Sequence, residues 1–229
     1  MRGLRNHGLA VFFLAILLAA LVGQAIAGHA DYNNDEIEHA QLLDEPPQTL
    51  SLGRYVVSSS FGQAVMENWQ SEYLQFFLFI LTTVWLLQEG SPESKELDKA
   101  GTESEKDQLI GEHALPDSPL WARVGGVRTW LFSNSLLIVM GVIFLGSWFA
   151  QSVTGWSAYN SEQIEHESSE LTYSQYVGSA DFWQTTLQNW QSEFLAVGSM
   201  AVFAIYLRQR GSPESKPVGA PHSATGVEG

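Results

Sequence analysis

A duplicated segment constrains this chain more than any other feature of its sequence. The pentapeptide Asn-Trp-Gln-Ser-Glu occurs at Asn68–Glu72 and again at Asn189–Glu193. Each copy opens an apolar run that ends in Gly-Ser-Pro-Glu-Ser-Lys, at Gly90–Lys95 and at Gly211–Lys216. The offset is 121 residues throughout, and 14 of the 28 positions in the first copy are identical in the second. The repeat predicts two copies of one structural unit.

Four apolar runs divide the chain, at 9–27, 69–87, 130–150 and 190–207. Each has about the 17–25 residues that a helix needs to cross the hydrocarbon core of a bilayer. A soluble helical bundle is disfavoured, because 9–22 and 136–149 are apolar on every helical face. The predicted fold class is therefore an all-α membrane protein, with four transmembrane helices in two tandem parallel two-helix repeats.

The repeat also predicts the domain boundaries. The first repeat covers 1–95, with transmembrane helices at about 9–29 and 61–88 and an outer loop between them. A cytoplasmic linker covers 96–129, and the second repeat covers 130–216, with helices at about 130–156 and 182–210. The segment 217–229 is rich in Gly, Pro and Ser, and we expect it to be disordered.

The first apolar run resembles a cleavable signal peptide. A basic start precedes it, and Ala25-Ile26-Ala27 resembles a cleavage site. However, Gln24–Gly28 corresponds to Gln151–Gly155 at an offset of 127, and this counterpart lies in the middle of the chain. Because the third run cannot be a signal peptide, we expect the first helix to be retained as well.

Lysine and arginine residues predict the orientation. They lie before the first run, between the second and third runs, and after the fourth, and only Arg54 falls in the two remaining loops. Both termini and the central linker are therefore predicted to be cytoplasmic. The net charge of −14 argues against nucleic acid as a partner, because no basic patch is available to neutralise phosphates.

Turn and cap signals occur at the ends of the second helix of each repeat. Ser60–Gln63 and Asp181–Gln184 fit capping boxes and predict helix starts ahead of the membrane. Gly90 and Gly211 suit the left-handed residue that ends a helix. The Ser-Pro pairs that follow them suit the start of another short helix, so the hexapeptide is interpreted as a stop-and-restart signal.

Small residues recur every four positions on the first and third runs. They predict close packing of these two helices through that face, since small residues let helix backbones approach in lipid. The alternative is the ordinary Gly and Ala content of membrane helices. The predicted packing residues are Ala19 and Gly23 in the first run, and Gly146 and Ala150 in the third.

Polar residues near the outer ends of the apolar runs are the candidate functional residues. A carboxylate inside the hydrocarbon core is costly, so it should face protein or water or be protonated. Two carboxylates placed close together would share a proton or bind a cation. The alternative is that these groups act as hydrogen-bonding glue between helices, or snorkel to the interface. The candidate ring consists of Glu72, Glu193, Asn68, Asn189, Gln24 and Gln151.

No pattern predicts catalysis, a metal or a cofactor. His39 and His166 each follow a glutamate in an acidic outer loop, which is a weak pattern for divalent metal binding. The sequence contains no His-Glu-x-x-His, Gly-x-Ser-x-Gly or Walker motif. It also contains no cysteine, which excludes disulfides and thiolate metal sites. We therefore predict that the protein is not an enzyme and holds no cofactor.

The duplicated pentapeptide and hexapeptide blocks, with the tail from Gly211 to Gly229, resemble an uncharacterised bacterial integral-membrane family known only as a domain of unknown function. The resemblance covers nearly the whole chain. It implies a location in the bacterial cytoplasmic membrane and supplies no activity, cofactor or catalytic residue.

Two functions are therefore expected from the sequence. The first is a non-enzymatic membrane protein with a structural or accessory role, whose partner is the lipid bilayer. The alternative is a small ion or proton conduit that uses Glu72 and Glu193. Because four helices are few to enclose a pore, the conduit would need a homo-oligomer.

Overall fold

A computed structural model describes residues 6–165 and 168–227, and over these residues the protein is helical without any β-strand. The all-α class predicted from the sequence is confirmed. Two helices, the first and the sixth, are long and apolar enough to cross a membrane. The eight α-helices of the described residues are α1 (Gly8–Leu43), α2 (Leu52–Tyr55), α3 (Ser59–Thr82), α4 (Leu120–Arg123), α5 (Gly126–Ser133), α6 (Ser135–Glu165), α7 (Tyr173–Val177) and α8 (Ala180–Tyr206).

The chain divides into two compact units. The first comprises Met1–Val65 and Ala150–Tyr176, and the second comprises Met66–Phe149 and Val177–Gly229. Each unit draws on both copies of the repeat. The first holds the loops that precede α3 and α8, and the second holds both pentapeptides and both hexapeptides.

The first helix is longer than predicted. It was expected to end at about residue 29, but α1 has 36 residues and ends at Leu43. Neither Gly nor Pro, the two strongest helix breakers, occurs in 29–43. The C-cap residue Asp44 is left-handed, with φ 58°, and its N–H donates to the Ala40 carbonyl. Pro46 then prevents further helix, since proline lacks the required N–H.

Serines two residues ahead of the predicted caps begin α3 and α8. Ser179 is the N-cap of α8, and its Oγ accepts from the Phe182 N–H at 3.3 Å. Ser58 Oγ accepts from the Phe61 N–H at the same distance. The predicted caps, Ser60 and Asp181, therefore lie inside the helices. The two true caps are related by the repeat offset of 121.

Both of these helices also end earlier than predicted. The second run was expected to be helical to about residue 88, but α3 ends at Thr82, within a β-branched run that lowers helix propensity. Thr83 Oγ1 donates back to the Phe79 carbonyl at 2.7 Å. The fourth run was expected to be helical to about residue 210, but α8 ends at Tyr206 because Leu207 is extended, with ψ 158°.

The hexapeptides form turns and do not restart helices. Gly90 and Gly211 are left-handed as expected, with φ 83° and 82°, but each lies several residues beyond the end of its helix. Ser94 Oγ accepts from the Gln88 N–H and Ser215 Oγ accepts from the Gln209 N–H, both at 2.9 Å. These bonds close each segment on itself, so the helix restart expected at the Ser-Pro pairs does not occur.

The C-terminal segment differs from the disorder expected for 217–229. Over 217–227 its backbone is held by hydrogen bonds to other parts of the second unit. Arg208 Nη2 donates to the Ala220 carbonyl at 3.0 Å, and the Gly226 N–H donates to the Ser91 carbonyl at 3.0 Å. Composition could not predict these contacts, because they are made with residues that are distant in the sequence.

An asparagine clasp recurs in the first unit. Asn33 on α1 accepts from the Leu50 N–H at 2.8 Å and donates to the Leu50 carbonyl at 2.9 Å. Asn160 on α6 makes the same two bonds to Leu171, each at 2.9 Å. Each clasp satisfies both backbone groups of a loop residue, and so fixes the loop to its helix.

Glycines on the same two helices receive tyrosines from these loops. The Tyr55 hydroxyl lies directly against Gly28 of α1, where a Cβ would overlap it. The Tyr176 hydroxyl lies against Gly155 of α6 in the same way. Tyr176 is 1% exposed and Tyr55 is 6% exposed, so these rings form much of the buried core of the first unit.

Candidate functional site

The six residues of the candidate ring lie in different units. Gln24 and Gln151 belong to the first unit, and the other four belong to the second. Gln151 is 1% exposed, while Gln24, Asn189 and Glu193 are half-buried. Asn68 and Glu72 are exposed. The two pentapeptides therefore occupy unequal environments, although their sequences are identical.

Glu72 and Glu193 do not share a hydrogen bond in the described part of the chain. The Glu193 backbone carbonyl accepts from Gln75 Nε2 at 3.2 Å, which places its helix turn against α3. Glu72, in contrast, is exposed.

Asn189 pairs with a glutamate that sequence reasoning missed. Its Nδ2 donates to Glu67 Oε1 at 3.3 Å and to the Thr185 carbonyl of its own helix at 3.0 Å. The comparison of the two copies did not indicate Glu67, because its counterpart in the second copy is Gln188. The spacing of Gln63, Glu67 and Gln70 along one helical face was the available signal.

Gln70 and Trp190 form the most buried polar contact of this region. Gln70 is 0% exposed, and its Oε1 accepts from Trp190 Nε1 at 2.7 Å. Its Nε2 donates to the Glu67 carbonyl at 3.1 Å. Both ends of the Gln70 amide are therefore satisfied, as a buried amide requires. The repeat-related pair, Trp69 and Gln191, does not form the same buried contact, because both residues are exposed.

We call this set the polar seam: a row of hydrogen bonds between α3 and α8. It consists of Glu67, Gln70 and Gln75 on α3, with Asn189, Trp190 and Glu193 on α8. Chemically the seam pairs side-chain amides with a carboxylate, an indole and a backbone carbonyl. It has the composition of interhelical glue, in which each polar group meets a polar partner.

Aromatic rings cover one side of the seam. Trp148 of α6 packs on Trp190 with ring centroids 5.8 Å apart, and also contacts Phe182 and Trp183 of α8. Phe144 also stacks on the Trp148 ring, with ring centroids 5.7 Å apart. Trp148 Nε1 is buried and makes no hydrogen bond to the described residues. The cluster thus lies next to the hydrogen bond between Trp190 and the fully buried Gln70.

The predicted small-residue packing face is open within the chain. Ala19, Gly23 and Gly146 are exposed, and Ala150 is half-buried. A Cβ added at Gly23 or Gly146 would meet nothing within 4 Å. Neither glycine therefore has a close neighbour among the described residues, and packing of the first and third runs through the four positions stays a prediction.

A cleft of about 510 Å³ in the first unit contains His39. Burial raises the pKa of the neighbouring Tyr32 to about 12, and the carboxylates of Glu36 and Glu165 add to this effect. Across the described residues, no three His, Cys, Asp or Glu side chains are grouped to hold a metal ion. His166, the other histidine considered for a metal, lies outside the described residues. The cleft is lined by Glu36, His39, Ala40, Leu43, Glu45, Pro46, Gln48, Ile164 and Glu165.

Comparison with known proteins identifies a family without an assigned activity. Residues 1–227 match the family described as a domain of unknown function, DUF6766. No curated protein and no solved structure matches the chain. The match agrees with the resemblance noted in the sequence to a family of unknown function.

Proposed function

Because the chain belongs to the DUF6766 family, whose description carries no activity, we propose its function from the geometry: a non-enzymatic multi-pass membrane protein with a structural or accessory role. We place it in the bacterial cytoplasmic membrane, with the N- and C-termini in the cytoplasm. The lipid bilayer is its principal partner.

The exposure of α1 carries this proposal. No residue in the most apolar stretch of this helix is buried. Leu9 and Phe13 are 75% and 60% exposed, and Leu14, Leu18 and Val22 also face outward. A contiguous apolar surface of this kind, on all sides of a helix, marks contact with lipid or protein. Its length exceeds the about 20 residues that span a bilayer core.

We propose four spans, formed by α1, α3, α6 and α8, in two tandem parallel repeats. The four helices have 36, 24, 31 and 27 residues, each enough for the core of a bilayer. The matched asparagine clasps and serine caps support a common ancestry for the two copies. Glu67 and Gln70 of α3 and Asn189 of α8 are compatible with this arrangement because the seam pairs them.

The polar seam favours glue over conduction. Glu67 and Gln70 have partners on α8, and the Gln70 amide is satisfied at both ends. A conduit needs polar groups that exchange partners with a passing ion or proton. The open small-residue face of α1 and α6 supports a homo-oligomer, in which a second copy would cover it.

Membrane insertion is tested by fractionation. We expect the full chain to remain in the membrane pellet after an alkaline carbonate wash and to enter solution only with detergent. A peripheral protein would be released by the wash. Recovery of folded, monomeric protein in buffer without detergent would contradict the proposal.

Topology is tested by cysteine labelling, for which the cysteine-free chain provides a clean background. Ala100→Cys in the linker should react with an impermeant maleimide only after cells are opened. Asn34→Cys, in the exposed part of α1 beyond the apolar stretch, should react in intact cells. Labelling of Ala100→Cys from outside would overturn the orientation.

The conduit is tested in proteoliposomes. If Glu72 and Glu193 conduct, the double variant Glu72→Gln plus Glu193→Gln should abolish an ion or proton flux that the wild-type chain shows. Under the structural proposal we expect no flux from either protein under any ion gradient. A wild-type flux that the double variant loses, with folding unchanged, would replace the structural role with conduction.

A further inference from the structure

The two hexapeptides fold into the same turn. Their glycines share a left-handed backbone, with φ 83° at Gly90 and 82° at Gly211. The N–H of Ser91 donates to the Gln88 carbonyl at 3.1 Å. The corresponding bond in the second copy joins Ser212 and Gln209 at 3.2 Å. The two turns therefore share these backbone features, and they can be compared by the residues that surround them.

Their surroundings differ. A Cβ built at Gly90 would overlap the His222 carbonyl and lie 2.9 Å from Ile205 Cγ2. A Cβ built at Gly211 would meet nothing within 4 Å. The first turn is therefore covered by the C-terminal segment, and the second turn has open space at the same position.

Two hydrogen bonds, one to a side chain and one to the backbone, join the C-terminal segment to the first turn. The Gly90 N–H donates to Thr225 Oγ1 at 2.8 Å. The Gly226 N–H donates to the Ser91 carbonyl at 3.0 Å. Each segment therefore donates one backbone N–H to the other.

Lys216 closes this contact. It is 1% exposed, and its Nζ donates to the Gly90 carbonyl at 2.6 Å and to the His222 carbonyl at 2.9 Å. Two further carbonyls, of Pro221 and Ala224, lie at 3.3 and 3.1 Å. Such charge-assisted bonds are stronger than neutral ones. Lys95, at the same place in the first hexapeptide, instead contacts Glu103 and the nearby Gly101 carbonyl.

The other end of the segment is fixed to the end of α8. His222 Nδ1 lies 3.0 Å from the Ile205 carbonyl, and its ring packs on Tyr206 at 5.4 Å. Arg208 donates to the Ala204 carbonyl of the helix and to the Ala220 carbonyl of the segment. These bonds satisfy carbonyls that a helix leaves without partners at its C-terminus.

We propose that the first hexapeptide turn is a peptide-binding site whose ligand is the chain's own C-terminal segment, 217–227, called here the strap. The strap ties the end of α8 to the segment that follows α3. Thr225 and Gly226 are its recognition residues, and Lys216 holds it closed. This site is independent of membrane insertion and of the role proposed above.

Hydrogen–deuterium exchange of the full chain in detergent tests the strap, and the chain supplies a matched pair of variants. Gly90→Ala and Gly211→Ala introduce the same left-handed strain, but only the first displaces the strap. We expect Gly90→Ala to accelerate amide exchange over 218–227 by about tenfold or more. This is the size of effect expected when a hydrogen bond to a charged group is lost, here the bond from Lys216 to the Gly90 carbonyl. Gly211→Ala should leave exchange there unchanged.

A second pair keeps the test decisive if Gly90→Ala fails to fold. Lys216→Met should accelerate exchange at the Gly90 and Gly226 amides, while Lys95→Met should not. Exchange over the Asn33 clasp serves as the control for global unfolding. The proposal is overturned if wild-type 218–227 exchanges at the rate of an unstructured peptide. It is also overturned if Lys216→Met and Lys95→Met give equal exchange rates at the Gly90 and Gly226 amides.

Discussion

Glycine positions on α1 and α6 have opposite roles at the scale of single residues. Gly28 and Gly155 each receive a tyrosine hydroxyl, so their lack of a side chain makes room for the loop. Gly23 and Gly146, on the same two helices, have open space around them. A glycine inside a helix costs about 1 kcal/mol relative to alanine, so only the first two are compensated by a contact.

Alanine substitution should separate these two roles. We expect Gly28→Ala and Gly155→Ala each to lower the free energy of unfolding by about 1–3 kcal/mol, because the methyl group displaces the tyrosine. Gly23→Ala and Gly146→Ala should be neutral or stabilising by up to about 1 kcal/mol. Thermal unfolding in detergent measures all four. Equal effects at the four positions would show that the tyrosine contacts do not fix the loops.

Packing between elements decides which copy of a duplicated residue is used. Gln70 and Gln191 occupy the same place in identical pentapeptides, yet Gln70 is buried against Trp190 and Gln191 is exposed. The polar seam is thus asymmetric. No alignment of the two copies could reveal this asymmetry, because it depends on how α3 and α8 are rotated about their axes.

The asymmetry predicts unequal effects of one substitution. Gln70→Leu leaves the Trp190 indole N–H without its acceptor and should lower stability by about 1–2 kcal/mol. Gln191→Leu should change stability little. Unfolding temperature and tryptophan emission, measured on both variants in the same detergent, provide the comparison. A larger loss for Gln191→Leu would show that the seam is not the contact that holds the two helices.

The Pro-Glu dipeptides of the two hexapeptides line a common cavity of about 90 Å³. Burial raises the pKa of Glu93, and the nearby Glu214 carboxylate raises it further. A raised folded-state pKa means that ionised Glu93 destabilises the fold, increasingly as pH rises through that pKa. Glu103 is the opposite case, because its hydrogen bond to Lys95 lowers its pKa.

Two glutamine variants should therefore have opposite pH dependence. Glu93→Gln should raise the unfolding temperature at pH 7, and the gain should vanish below about pH 4, where glutamate is protonated in the unfolded chain as well. Glu103→Gln should lower the unfolding temperature at pH 7, and this loss should fade as pH falls. A gain for Glu93→Gln that persists unchanged at low pH would contradict the assigned cause.

The continuity of α1 matters at the scale of the whole molecule. The helix runs without interruption through Ala25-Ile26-Ala27, the possible cleavage site, and Gly28 directly beyond it packs against Tyr55. Removal of the segment before Gly28 would leave the clasped part of α1 without its first turns. The repeat and this packing both favour retention.

Intact mass spectrometry of protein extracted from membranes tests retention. We expect a mass that includes residues 1–27, because the helix that begins at Gly8 continues into the packed segment after residue 27. An N-terminus at residue 28 would show that the first run is a signal peptide. It would also reduce the proposed four spans to three.

Local sequence was sufficient to predict helices and where apolar surface must lie. Apolar runs and their repeat predicted an all-helical chain, since helix formation depends on neighbouring residues and their periodicity. Helix ends were predicted less well: the caps at Ser58 and Ser179 and the early ends at Thr82 and Tyr206 depend on individual hydrogen bonds. The left-handed backbone of the hexapeptide glycines was predicted correctly. The residues after them were expected to restart a helix, but they form turns.

Tertiary structure alone decided which distant residues meet. Asn189 pairs with Glu67, and the C-terminal segment binds at Gly90 despite a composition typical of disorder. Both contacts join residues more than 100 positions apart, so they depend on the register and rotation of whole helices. Periodicity in one segment carries no information on that register, which is set by the joint packing of all the elements.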